Sequence, residues 1–141
     1  MAKKALKRAG GVALIAAVFA CAGFAYALTR SPVFAGENYE FSAGASSSAE
    51  IVHTDNPAFY KLFHAVAGES ARYEGDVSEE LLARFQARIL FIENVCGIVN
   101  YYCYSPVLSG GVALGGEVVN LHIAVGECMT AAGTPVIFGG F

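Results

Sequence analysis

The sequence predicts an α+β protein: an antiparallel β-sheet covered on one face by two helices, preceded by an N-terminal hydrophobic helix. Three observations predict it. An uncharged apolar run over residues 9–28 follows a basic start. Two segments with apolar residues at helical spacing come next, around Phe59, Leu62, Phe63 and Val66 and around Leu82, Phe85, Ile89 and Ile92. From Ile98 onward the apolar period falls to two, the signature of half-buried strands. A chain of 141 residues holds one domain, and 55% apolar with 15% charged residues excludes a disordered polymer.

The first element is an address. Residues 1–35 carry Lys3, Lys4, Lys7, Arg8 and Arg30 without an acid, a charge of +5, whereas residues 36–141 carry four basic residues against twelve acids, −8. Twenty helical residues rise about 30 Å, the thickness of a bilayer core. The basic flank favours a cytoplasmic N-terminus. Residues 1–35 therefore read as a signal peptide or a signal anchor, with a transmembrane helix over about 9–28, and residues 36–141 as a single extracytoplasmic domain. Ala25-Tyr26-Ala27 and Val33-Phe34-Ala35 both suit a signal peptidase. Val18-Phe19-Ala20-Cys21 fits a lipoprotein site poorly because of Phe19. The length of the run suits an anchor. The protein is expected at the cell membrane with its C-terminal domain outside the cytoplasm, or secreted after cleavage.

The remaining elements follow in order. Residues 37–41 and 48–53 read as strands separated by the small residues 43–47. Asn56-Pro57 starts a helix, with Asn as cap and Pro at the first turn, and Gly68 is its expected left-handed stop. Residues 69–74 form a strand and Gly75 a turn. Asp76 with Glu79 resembles a capping box for a second helix ending at Gly97, although residues 89–92 also suit a strand. Glu79 and Glu80 near its start and Arg84 and Arg88 further along suit the dipole and i,i+4 pairing. Residues 100–107, 112–114, 117–125 and 129–138 read as strands, with Gly115-Gly116 as a hairpin turn. In residues 117–125, Val119, Leu121, Ile123 and Val125 point one way and Asn120, His122 and Ala124 the other.

Tyr101-Tyr102-Cys103-Tyr104-Ser105-Pro106, Val119-Asn120-Leu121-His122-Ile123-Ala124-Val125 and Gly133-Thr134-Pro135-Val136-Ile137-Phe138-Gly139-Gly140-Phe141 resemble the YwmB-like family of Gram-positive spore-forming bacteria. Gly68-Glu69-Ser70 fits the same picture. The resemblance implies an exported protein in a sporulation setting. It also implies a TATA-box-binding-protein-like fold, of which this short chain has room for one half-domain. It carries over no catalytic residue. The fold label does not imply DNA binding: Lys61, Arg72, Arg84 and Arg88 are scattered among twelve acids, and nucleic-acid affinity needs clustered cations. No nucleic acid is expected as a partner.

Motifs for catalysis are absent from the sequence. There is no G-x-S-x-G, H-E-x-x-H, phosphate-binding loop or dinucleotide fingerprint, and no cofactor is expected. The Glu79-Glu80 pair reads as a solvated helix turn. Three histidines, His53, His64 and His122, could combine with Ser70, Ser105 or Cys103 as base and nucleophile, but no spacing requires it. The strongest candidate surface is a ligand-binding face of Tyr102, Tyr104, Asn120 and His122, offering hydrogen bonds and aromatic platforms. No metal site is expected, since Cys96, Cys103, Cys128 and His122 match no closed zinc spacing. Continuing the Gly115-Gly116 hairpin register would oppose Cys103 to Cys128, so a disulfide between them is one candidate, against buried free thiols as the other. The leading functional expectation is a membrane-anchored or exported non-enzymatic interaction domain of the cell or forespore envelope, with an unidentified envelope protein or polymer as partner. The alternative is a small-ligand binder or hydrolase acting on envelope polymers through the Tyr102/Tyr104/Asn120/His122 face.

Overall fold

A computed structural model describes residues 2–44 and 50–138, with side chains from residue 10 onward. The basic side chains of residues 3–8, most of the small-residue segment before the second strand, its first residues 48 and 49, and Gly139-Gly140-Phe141 lie outside the described residues. The chain divides into two compact units, Met1–Ser31 and Pro32–Phe141. The first is helix α1, Ala2–Thr29. Its Gly10–Thr29 stretch, with a mean hydropathy of 2.2, is long and apolar enough to cross a membrane.

The second unit is α+β. Its strands are β1 (Glu37–Ala43), β2 (Glu50–Thr54), β3 (Gly68–Glu74), β4 (Arg88–Val95), β5 (Ile98–Tyr104), β6 (Val112–Leu114), β7 (Glu117–Val119), β8 (Leu121–Val125) and β9 (Met129–Thr134). Two short helices, α2 (Pro57–Phe63) and α3 (Ser78–Arg84), complete it. Seven strands form one antiparallel sheet in the order β2-β1-β3-β9-β8-β5-β4, and β6-β7 is a separate hairpin. Register puts Ala71, Ala132, Ile123 and Tyr101 in one row across the sheet. On that face Phe41, Cys103 and Leu121 join them in a core completed by Leu81 of α3 and by Phe85, which caps that helix, with Tyr60 of α2 packed against it.

The body begins at Pro32, four residues before the expected boundary, because the segment after α1 is built into this core. Phe34 is buried and meets Phe85 edge-on with ring centroids 5.6 Å apart. Three successive backbone amides are held by side chains: Val33 N donates to Glu69 Oε2 (2.9 Å), Phe34 N to Tyr39 Oη (3.0 Å) and Ala35 N to Tyr73 Oη (3.2 Å). Glu69, itself buried, also accepts from Tyr39 Oη at 2.6 Å and from Lys61 Nζ. Burial and the carboxylate of Glu69 together raise the Tyr39 phenol well above its ordinary value.

Several elements differ from the sequence expectation. Helix α2 ends at Phe63, with His64 already extended. Gly68 is a strand residue rather than a helix stop, and a Cβ there would collide with the Phe138 ring. Asp76 and Glu79 form no capping box: Asp76 Oδ1 instead accepts from Ser78 N (2.9 Å) and Ser78 Oγ (2.6 Å), which lowers its pKa. Helix α3 stops at Arg84, Gln86 turns left-handed, and the β-prone run beyond it becomes β4. Ile89 and Ile92 are therefore strand residues, and Gly97 belongs to the β4–β5 turn with Cys96. Strand β5 stops at Tyr104 and β9 at Thr134, both short of the expected ends.

A further difference decides the cysteines. The Gly115-Gly116 turn forms as expected, both residues at positive φ, and pairs Leu114 with Glu117 and Val112 with Val119. That register does not continue. Residues 105–111 loop out, the expected strand 117–125 breaks at Asn120, and Cys103 faces Leu121. Cys128 is exposed between β8 and β9, and Cys103 and Cys128 are both free thiols. Burial pushes the Cys103 thiol up to about 11, so it is a packing residue.

Candidate functional site

The second face of the sheet carries the candidate site. Antiparallel register places Phe91, Tyr102 and His122 side by side on β4, β5 and β8. Their rings stack: Phe91 and Tyr102 centroids lie 4.5 Å apart at 19°, and Tyr102 and His122 lie 4.4 Å apart at 12°. Burial, and then the nearby Glu93 carboxylate, raise the Tyr102 phenol above its ordinary value.

Both nitrogens of His122 are engaged. Asn100 Nδ2 donates to Ile98 O (3.2 Å), which turns Asn100 Oδ1 toward His122 Nε2 at 3.0 Å. The proton therefore belongs on Nε2, and Nδ1 accepts from Ile137 N at 3.4 Å. A second proton on Nδ1 would oppose one donor to another. Burial lowers the imidazole to about 4, so the ring is neutral at physiological pH.

Ile137 reaches this face because the chain after β9 folds back across it. A Cβ on Gly133 would lie 2.6 Å from the Ile137 backbone, and one on Gly68 would strike Phe138. The two glycines thus form a notch for the tail. Beside the tail lies an open cleft of about 310 Å³ lined by Val95, Cys96, Asn100, Tyr102, His122 and Ile137, among others. Tyr102 also borders a second cleft, about 600 Å³, between β4 and the tip of the β6–β7 hairpin. Further along the same face, Glu40 is buried with Arg72 Nη2 at 3.6 Å and His53 Nδ1 at 3.4 Å from its Oε1.

Of the four residues expected to share the site, Tyr102 and His122 meet. Tyr104 lies on the same side of β5, beneath the Arg88 guanidinium at 5.6 Å from the ring centroid. Asn120 does not belong to the face. It is 1% exposed, accepts from Ser105 N (2.7 Å) and donates to Ser105 O (2.8 Å) and Leu108 O (3.0 Å), pinning the looped-out segment. Ser105 Oγ is spent on Phe85 O at 2.6 Å. Neither Ser105 nor Ser70 lines the His122 cleft. His64 stacks on Tyr60, and among the described residues no group of three His, Cys, Asp or Glu is placed to hold a metal ion.

The arrangement can present stacked ring surface and a phenol to a bound molecule. It does not offer His122 as a proton acceptor, because its one acceptor nitrogen faces a backbone amide. Sequence reading missed Phe91, Asn100 and Ile137. Asn100, Tyr102 and Tyr104 alternate visibly, which was a usable signal; Phe91 fell at an ambiguous helix end, and the tail contact is long-range. No family model, no curated protein and no solved structure matches the chain, so its function is argued from the site.

Proposed function

We propose that the chain is a membrane-tethered, non-enzymatic interaction domain carried outside the cytoplasm on the bacterial cell envelope. One observation carries the tether: the segment three residues beyond the apolar helix, Val33, Phe34 and Ala35, is gripped by Glu69, Tyr39 and Tyr73 of the body. A domain released by a cut after Ala35 would lose a buried core residue and leave Glu69 and Tyr39 without these amides. This supports retention of the segment, as an intact anchor or, if cleaved, with the cut after Ala27. The resemblance to the YwmB-like family supports the same setting.

Interaction rather than catalysis is favoured by the engaged, neutral His122 at the inner end of the aromatic row. A second reading, a binder of a small ligand or of a short stretch of envelope polymer, is favoured by the cleft beside Tyr102 and His122, whose volume falls at the lower end of ligand sites. Nucleic acid is not a proposed partner for a body of this negative charge. A reporter fused after Phe141 should be active only outside the cytoplasm, and the N-terminal residue of the tethered protein should be residue 1; a start at residue 28 would mean an exported domain released from the membrane, since the cut removes the apolar helix. Activity of a cytoplasmic reporter, or a mature N-terminus at Gly36, would overturn the tether. Proximity labelling from the intact cell should mark envelope components, and Tyr102→Ala should change that set if the aromatic face binds them.

A further inference from the structure

Strand β4 ends the seven-stranded sheet, so among the described residues only its inner edge is paired, with β5. An eight-residue edge carrying apolar side chains is a template for another strand. Ile89 and Ile92 remain 41% and 55% exposed. In a regular strand residues three apart point to opposite faces. Here a bulge between Ile89 and Phe91 changes that: Ile89 opposes Cys103 and Ile92 opposes Tyr101, both on the helix-covered face. Arg88 and Glu93 oppose Tyr104 and Asn100 on the other face, and both are exposed.

We propose that β4 pairs antiparallel with β4 of a second copy of this chain, around a two-fold axis normal to the sheet that passes between Leu90 and Phe91. That register sets Ile89 against Ile92 of the second copy and Arg88 against its Glu93, each pair occurring twice. Directly opposed residues on one face are the pairs that stabilise a sheet. The bulge makes the faces agree, apolar with apolar on the helix-covered side and cation with anion on the other. Sliding the register by one residue places side chains on wrong faces, and sliding it by two separates both charge pairs. Such an axis also keeps the Pro32 ends of both bodies on the same side of the joined sheet, since both straps lie on the helix-covered face. Two chains held in one membrane require this, and confinement there raises their effective concentration.

The test is a charge swap in the full chain, reconstituted in detergent micelles and measured by sedimentation. The wild type should be a dimer. Arg88→Glu sets two acids against two acids, and Glu93→Arg two cations against two cations, so each should weaken dimerisation about tenfold or more. An equimolar mixture of the two variants should recover the dimer, because every opposed pair is again of opposite sign; this recovery also shows that both variants fold. A monomeric wild type, a dimer indifferent to either reversal, or a mixture that stays monomeric would overturn the proposal.

Discussion

Within strand β8, neighbouring residues belong to two differently built faces. Leu121 and Ile123 are fully buried beneath the helices, where their neighbours are Phe41, Cys103, Phe85 and Ala132. His122, between them, lies on the opposite face among Tyr102, Asn100 and the returning tail. The first face asks for volume and apolarity. The second asks for matched donors and acceptors, and for glycines where the tail must come close. On the helix-covered face Glu69 is a buried charged exception, and that is where the face grips the strap leading from the apolar helix.

The largest expected effect comes from removing that exception. Glu69→Ala leaves Lys61 in a buried setting and frees the Val33 amide and the Tyr39 hydroxyl, and should cost about 3–5 kcal/mol. Denaturant titration of the full chain in micelles measures it; a loss below about 1 kcal/mol would mean that the strap is not held through Glu69. Leu121→Ala should cost about 2–5 kcal/mol by opening a cavity in the core. Asn120→Ala strips partners from Ser105 N, Ser105 O and Leu108 O and should cost about 2–3 kcal/mol. An Asn120 variant as stable as wild type would return this residue to the solvent-facing row.

The pH dependence sharpens the other side of the comparison. His122 takes a proton near its ordinary value of 6.5 in the unfolded chain but only at about 4 in the fold. The unfolded state therefore gains protons first as pH falls. Stability contributed by neutral His122 is complete above 6.5 and lost between 6.5 and 4, by about 2 kcal/mol once residual solvent contact is allowed for. His122→Phe preserves a ring against Tyr102 and should flatten the curve in that window. An unchanged slope would assign it to other groups.

Much of the helix-covered face was legible because its signal is local. The alternation of Leu121 with Ile123, the Asn56-Pro57 start and the Gly115-Gly116 turn each act over a few residues. Asn120 was misread for a long-range reason: strict alternation assumes an unbroken strand, and the loop of residues 105–111 breaks it. The same loop moves Cys103 from Cys128 to Leu121. Gly68 carried no local meaning at all, since the Phe138 ring that fills its missing Cβ space arrives from far along the chain. Half of the candidate site, Tyr102 and His122, was legible from residue type and period. The stacking with Phe91 and the engagement of both imidazole nitrogens needed the register.

The claim that His122 supplies a ring surface and no base is tested most directly by its own titration. In a ¹⁵N-labelled sample, long-range proton–nitrogen correlations of the imidazole report tautomer and pKa together. The structure predicts a neutral ring with its proton on Nε2 across the physiological range and an apparent pKa of about 4. A pKa at or above 6, or a proton on Nδ1, would contradict the account and return His122 to the candidates for catalysis.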